Sequence, residues 1–218
     1  MFDRKEIPTM NSRTTRTHAL LAGLILLAAG SAGAASAAET TSWTLDPAHT
    51  EIKFSVNHFF TPVTGRFAEF EVDLAYDVEN PENSTVEAKI PVASVDTGNA
   101  QRDEHLRSAD WFEVETHPYI TFKSTSVRAD GSGHLVARGP LTIKGVSQVI
   151  ELPITLLGRQ PIPEEMREML GGTQEVASFE ASTAVERGNF GVGVGSWAAT
   201  MVVGGDVEIE ILAEAHRR

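Results

Sequence analysis

The sequence predicts an all-β protein, an antiparallel barrel of eight strands with one or two short helices. Three observations point there. Period-2 alternation of apolar and polar residues runs from Trp43 to the C-terminal region, the mark of strands with one buried face. Short Gly-, Asn- and Asp-containing turns separate the runs, which favours hairpins over parallel crossovers. About eight antiparallel strands is also the size at which a sheet closes and removes its exposed edges.

In chain order, Trp43–Leu45 is a short first run. Ile52, Phe54 and Val56 then alternate with Glu51, Lys53, Ser55 and Asn57. Phe70, Val72, Leu74 and Tyr76 alternate with Glu69, Glu71, Asp73 and Asp77, and Val86, Ala88 and Ile90 with Thr85, Glu87 and Lys89. Ile120 with Phe122, Leu135 to Ile143, and Ile150, Leu152, Ile154 and Leu156 continue the series. Phe179, Ala181, Thr183 and Val185, then Val207, Ile209 and Ile211, complete it. Asn80–Asn83, Asp130–Gly133 and Lys144–Ser147 read as hairpin connections. Two stretches break the rhythm. Asn99–Ser108 carries Ala100, Gln101, Arg102, Glu104 and Leu106 and is expected as a short helix. Pro163–Leu170 is expected as another, stopped by Gly171-Gly172, with Met166, Met169 and Leu170 packing on the barrel wall or end.

Residues 1–38 are read as a cleaved export signal and 39–218 as one domain. Arg13 and Arg16 precede the apolar run Ala19–Ala29, and Ala35-Ser36-Ala37 offers an A-x-A cleavage pattern. The run is 11 residues long, against roughly 20 for a spanning helix. Either Met1 or Met10 is the start. The expected location is therefore the periplasm.

Composition narrows the function classes. The 218 residues carry a net charge of −12, which argues against binding nucleic acid, a task for clustered Lys and Arg. Loss of Arg4, Lys5, Arg13, Arg16, Asp3 and Glu6 with the signal leaves 14 basic against 28 acidic residues. Zero cysteines excludes disulfides, thiolate metal sites, cysteine nucleophiles and a lipidated cysteine anchor. Ser196 lacks the spacing of a nucleophile elbow, and Gly191–Gly195 fails the dinucleotide-binding spacing. His49, His58, His105 and His117 show no metal-ligand spacing, so neither metal nor cofactor is expected. They are expected to pin loops through backbone carbonyls.

Within this frame the motifs resemble one family. Asp46-Pro47-Ala48-His49-Thr50-Glu51-Ile52-Lys53-Phe54-Ser55-Val56-Asn57-His58 is similar to the opening signature of the YceI-like, polyisoprenoid-binding family. Gly65-Arg66-Phe67, Arg102-Asp103-Glu104-His105-Leu106-Arg107-Ser108-Ala109-Asp110-Trp111-Phe112 and His117-Pro118-Tyr119 follow in its order. Gly139-Pro140-Leu141-Thr142, Asn189-Phe190-Gly191 and Val203-Gly204-Gly205-Asp206 continue it, so the resemblance covers Trp43–Glu214. It implies a lipocalin-like barrel holding a long isoprenoid, with an isoprenoid quinone or a polyprenyl phosphate as the expected ligand. Two departures fall where the barrel is expected to open. Residues 159–176 lack the family's Gly- and Asp-rich loop, and 191–200 are unusually rich in Gly and Ala.

The expected ligand-binding residues are Phe54, Val56, Phe70, Val72, Phe112, Phe122, Leu141 and Phe179 in the lumen, with Arg102 and His105 at the rim. Each lumen residue also fits a plain core. The small inward residues Ala88, Ala137, Gly139, Ala181 and Thr183 are expected to leave room. Around Asp96, Arg102, Asp103 and His105 two readings stand. In one, Arg102 and His105 donate to a ligand head group; in the other, Asp96 and Arg102 pair, and His105 caps a loop. Burying about 500 Å² of an isoprenoid would contribute on the order of 12 kcal/mol before ordering costs, so few polar contacts are needed. The leading expectation is a non-catalytic isoprenoid carrier, a monomer or homodimer without a stable membrane anchor. The alternatives are a stress-response accessory module binding other small hydrophobic molecules or a protein partner, and an isoprenoid-modifying enzyme.

Overall fold

Alternating side chains give each strand one face for water and one for a shared interior, and the architecture follows from that rule. The computed structural model describes residues 41–131 and 133–218. The expected signal, its start and its cleavage point lie outside the described residues.

The strand segments are β1 (Thr41–Leu45), β2 (Glu51–His58), β3 (Thr61–Phe67), β4 (Glu71–Tyr76), β5 (Thr85–Pro91), β6 (Val95–Asp96), β7 (Tyr119–Lys123), β8 (Ser126–Ala129), β9 (His134–Ile143), β10 (Val146–Pro161), β11 (Glu175–Glu186) and β12 (Val203–Arg217). Four pairs of segments are halves of longer strands. A 3-10 turn at Pro47–His49 divides β1 from β2, residues 68–70 divide β3 from β4, a 3-10 turn at Val92–Ser94 divides β5 from β6, and residues 124–125 divide β7 from β8. Rejoined, they make eight strands, each antiparallel to its neighbour in the chain. The last strand closes on the first, with Leu45 opposite Ala215 and Val56 opposite Val207. This is the expected closed eight-stranded barrel.

Pairing register defines its two ends. At the upper end lie the β2–β3 hairpin, the β9–β10 hairpin and the turn after β11, since His58 pairs with Val203 and Glu186 with Asp206. At the lower end, Pro161 pairs with Glu175 and Glu175 with Arg217. Lys144 and Gly145 take φ values of 49° and 74°, the two left-handed residues of a type I′ hairpin.

Three expectations change. Phe70 falls in the 68–70 interruption and packs against the core outside any strand. Gly139 does not leave room in the lumen: a Cβ there would lie 2.0 Å from the Lys123 carbonyl oxygen. It permits close approach of β9 to the break between β7 and β8. The methionine stripe does not pack on the wall, for Met166, Met169 and Leu170 are 41%, 74% and 40% exposed. Their helix, α2 (Glu164–Arg167), is a single turn, too short to lay a stripe along a sheet. Buried Ile162 anchors this connection instead. The helix α1 (Ala100–Arg107) forms as expected, capped by Asn99, whose side chain accepts from Arg102 N at 3.0 Å.

Candidate functional site: an apolar lumen

Inward side chains of all eight strands enclose a cavity of about 260 Å³. Ile52, Phe54 and Val56 line it from β2, Val72, Leu74 and Tyr76 from β4, and Val86, Ala88 and Ile90 from β5. The far wall is Leu141 and Ile143 of β9, Leu152 and Ile154 of β10, Phe179, Ala181 and Thr183 of β11, and Val207, Ile209 and Ile211 of β12. Phe122, and Phe112 from the loop after α1, join them, so Phe54, Val56, Val72, Phe112, Phe122, Leu141 and Phe179 come together around one space. Phe70, Arg102 and His105 are not among its lining residues. Of the small inward residues, Ala88, Ala181 and Thr183 face the cavity, whereas Ala137 is fully buried in the core.

Among the described residues the polar groups on the lining have partners, except the Tyr76 and Thr85 hydroxyls. Thr50 Oγ1 accepts from Glu214 N at 3.3 Å, Ser84 Oγ accepts from Asp77 N at 3.0 Å, and Thr183 Oγ1 donates to Glu151 O at 3.3 Å. Lys53 pairs with Glu51. What the cavity presents is therefore hydrocarbon and aromatic surface, suited to a ligand with few polar atoms. At the lower end, Tyr76 meets Phe179 edge-on at 5.3 Å, and Trp43 donates its indole N–H to Tyr76 O at 3.1 Å. Burial pushes the Tyr76 phenol above its ordinary pKa.

At the upper end sits a residue the sequence reading passed over. Arg187 lines the cavity and is 4% exposed. Its Nε donates to Gly204 O, its Nη1 to Val192 O and Gly193 O, and its Nη2 to Trp197 O and Val203 O, at 2.8–3.3 Å. These bonds occupy all five guanidinium donors, and burial holds the group below its usual pKa. Trp111, Phe190 and Val192 join Arg187 on the lining. In the sequence a lone arginine at a strand end reads as solvated; its burial depends on carbonyls brought back from residues 192–204.

The rim constellation is rearranged. Asp96 and Arg102 do not pair with each other. Asp96 takes Arg66 at 3.2 Å, while Arg102 donates to Thr97 through Nε at 2.7 Å and Nη2 at 2.9 Å. Asp103, which is buried, accepts from Thr97 Oγ1 at 2.6 Å. Register explains the exchange: Arg66 and Asp96 stand opposite each other on β3 and β6. His105 packs edge-on against Trp111 and Trp197, with ring centroids at 5.9 and 5.1 Å, and its Nε2 accepts from the Trp111 indole at 3.3 Å. Arg107 braces the loop by donating to Ala93 O and Val95 O.

The histidines do not gather. His117 lies against Gly145 and His58 against Phe59. His49 Nδ1 sits 2.8 Å from Asp46 Oδ2 and 3.8 Å from Glu214 Oε1. The ligand atoms of these three residues lie within 4.8 Å of one another, the one such cluster of three His or carboxylate side chains among the described residues. The hydrogen bond to Asp46, ahead of the Asp46 and Glu214 charges, raises the His49 pKa and lowers that of Asp46.

Comparison with known proteins agrees with this geometry. The model of the YceI-like domain matches residues 43–215. A UPF0312 protein from Shewanella sp. strain ANA-3 is 32% identical over 91% of this chain and 98% of its own length. Another, from Serratia proteamaculans, is 34% identical over 91% and 95%. Among solved structures, BcnA of Burkholderia cenocepacia superposes with a TM-score of 0.70 at 24% identity, covering 78% of this chain and 99% of that one. A polyisoprenoid binding domain from Saccharophagus degradans superposes with a TM-score of 0.54 at 15% identity, covering 82% and 99%. The latter two likenesses concern the fold; the family match and the curated relatives carry the assignment, and on their strength the chain belongs to the YceI-like family.

Proposed function

We infer that the protein is a periplasmic carrier that holds a long-chain isoprenoid in its lumen without transforming it. The observation that carries this reading is the cavity itself, enclosed by all eight strands and lined by aliphatic and aromatic side chains, with the Thr50, Ser84 and Thr183 hydroxyls among them already bonded. The polyisoprenoid binding of the Saccharophagus neighbour supports the choice of ligand. A methyl-branched chain has no polar atoms to satisfy, and its burial supplies the binding free energy. Among head groups a neutral quinone is favoured over a phosphate. All five Arg187 donors are engaged, and Arg102 is not on the lining, so neither cation presents a free donor to an anion in the lumen.

Extraction of the protein from its native host into organic solvent, followed by mass spectrometry, tests this. A polyprenyl quinone is expected. Recovery of fatty acids or other small hydrophobic molecules alone would overturn the isoprenoid reading and leave the broader accessory-module one. Turnover of a bound isoprenoid that is lost in His105→Ala while binding persists would make the protein an enzyme.

A further inference from the structure

The upper end of the barrel carries an apolar projection that the lumen does not explain. β2 and β3 are joined by Phe59 and Phe60 alone, since His58 pairs with Thr61. Phe59 adopts φ 54°, in the first central position of a two-residue turn, where glycine or asparagine is the normal occupant and a bulky residue is an outlier. Phe60 is 97% exposed and Phe59 53%. The adjoining loop brings more of the same: Phe59 N donates to Val202 O at 2.7 Å, beside Met201, which is 79% exposed. A strained turn that holds two phenylalanines in water costs stability, and such outliers cluster where function requires them.

Charge identifies what covers this projection. Residues 55–65 and 188–205 contain no Asp, Glu, Lys or Arg, although 22% of the chain is charged. A protein partner would call for a polar rim around the apolar centre, and these two stretches supply only scattered Ser, Thr, Asn and His side chains for it, with no Asp, Glu, Lys or Arg. A bilayer calls for the reverse, because any charge carried into the hydrocarbon is penalised. The lower end makes the contrast. Its exposed Met166 and Met169 are interspersed with Glu164, Glu165, Arg167 and Glu168.

We propose that the upper end docks transiently on a lipid bilayer, with Phe59, Phe60 and Met201 entering the headgroup–acyl boundary. The contact is hydrophobic and does not select anionic lipid, which a chain of net charge −12 would repel. The lumen lining reaches Val203, the partner of His58, so docking sets the ligand cavity directly behind the contact. That consequence rests on the lipid-carrier reading; the docking itself does not.

Flotation of residues 39–218, which contain every strand of the closed barrel, with phosphatidylcholine vesicles tests the proposal. The unmodified protein is expected to float with the vesicles, and Phe60→Asp to reduce partitioning at least about tenfold. Met169→Ser, at the other end, is expected to change nothing, and raising salt to about 0.5 M to leave binding intact. Uptake of a fluorescent apolar probe in solution, measured on the same variants, reports the fold and the lumen. Loss of flotation with probe uptake kept is the supporting result for Phe60→Asp. Failure of the unmodified protein to float, equal flotation of Phe60→Asp, or binding that requires anionic lipid and disappears with salt would each overturn the docking. So would a concentration-dependent dimer abolished by Phe60→Asp without vesicle binding, which would make a second copy the occupant. Flotation without probe uptake would sustain the docking while removing the lumen reading.

Discussion

The guanidinium of Arg187 lies over the ring of Trp111, 5.3 Å from its centroid, joining the turn after β11 to the loop that follows α1. Trp111 in turn packs on Trp197 at 5.7 Å, and Arg187 donates to the Trp197 carbonyl. One cation thereby ties three separate stretches into the cap of the barrel.

Removing that cation should open the cap. Arg187→Met leaves the carbonyls of Val192, Gly193, Trp197, Val203 and Gly204 without their donor, and each buried unsatisfied group costs about 1–3 kcal/mol. Relaxation and water entry will offset part of this, so the expected loss is about 3 kcal/mol or more in urea denaturation, read as a lower midpoint at constant slope. Arg187→Lys keeps the charge but has three donors for five acceptors, and should recover only part of the loss. A loss below about 1 kcal/mol for Arg187→Met would show that the cap does not depend on these bonds.

Strand alternation made the barrel legible because its physical cause, one wet face and one dry face, acts on neighbouring residues. Ile52, Phe54 and Val56 announce their strand without knowledge of any partner, and seven of the eight expected lumen residues do line the cavity. The exception, Phe70, fails at a break in β3–β4 that alternation cannot foresee. Ile209 and Ile211 lay in a recognised run and were available to the same reasoning. Long-range chemistry was hidden. Arg66 and Asp96 meet only through the β3–β6 register, and Arg187 is defined by carbonyls from the following loop. Gly139 resembled a space-maker because its crowding comes from a bend in another strand.

The Asp46–His49 pair should give a measurable titration. The imidazole is raised above its ordinary 6.5 and the carboxyl lowered below 3.8, each chiefly by their shared hydrogen bond. A raised histidine contributes stability that is complete below 6.5 and lost as pH climbs through its folded value; a lowered aspartate contributes above 3.8 and loses it as pH falls through its own. The pair is thus strongest between those limits. His49 is 66% exposed, so the effect is screened and shrinks with salt. In an NMR titration the His49 ring should titrate above 6.5 and move back towards it in Asp46→Asn. An unchanged midpoint in that variant would assign the shift elsewhere.

Two glycines separate close approach from mere occupancy. In Gly139→Ala the new Cβ would meet the Lys123 carbonyl at 2.0 Å, and backbone on both sides must move. A loss of about 2 kcal/mol or more is expected from overpacking of this kind. Gly158→Ala meets nothing within 4 Å and needs no left-handed φ, so lower unfolded-state entropy should leave it neutral or up to about 1 kcal/mol more stable. Thermal denaturation of the two variants side by side makes the comparison. Equal effects would refute the steric assignment of Gly139.

The lumen itself can be tested by filling it. Ala181 is buried on β11, between Ile154 and Ile211 on the neighbouring strands, and faces the cavity. In a close-packed interior Ala181→Phe would lose about 1–3 kcal/mol through strain. In a barrel with about 260 Å³ of open space the ring has somewhere to go, and its burial offsets the local adjustment. Stability should therefore change by less than about 1 kcal/mol. Binding should respond oppositely, because the ring occupies volume that a ligand would fill. Affinity for a fluorescent apolar probe is expected to fall at least about tenfold, the equivalent of about 1.4 kcal/mol. Destabilisation with probe binding intact would mean that the cavity is packed core and that the ligand binds elsewhere.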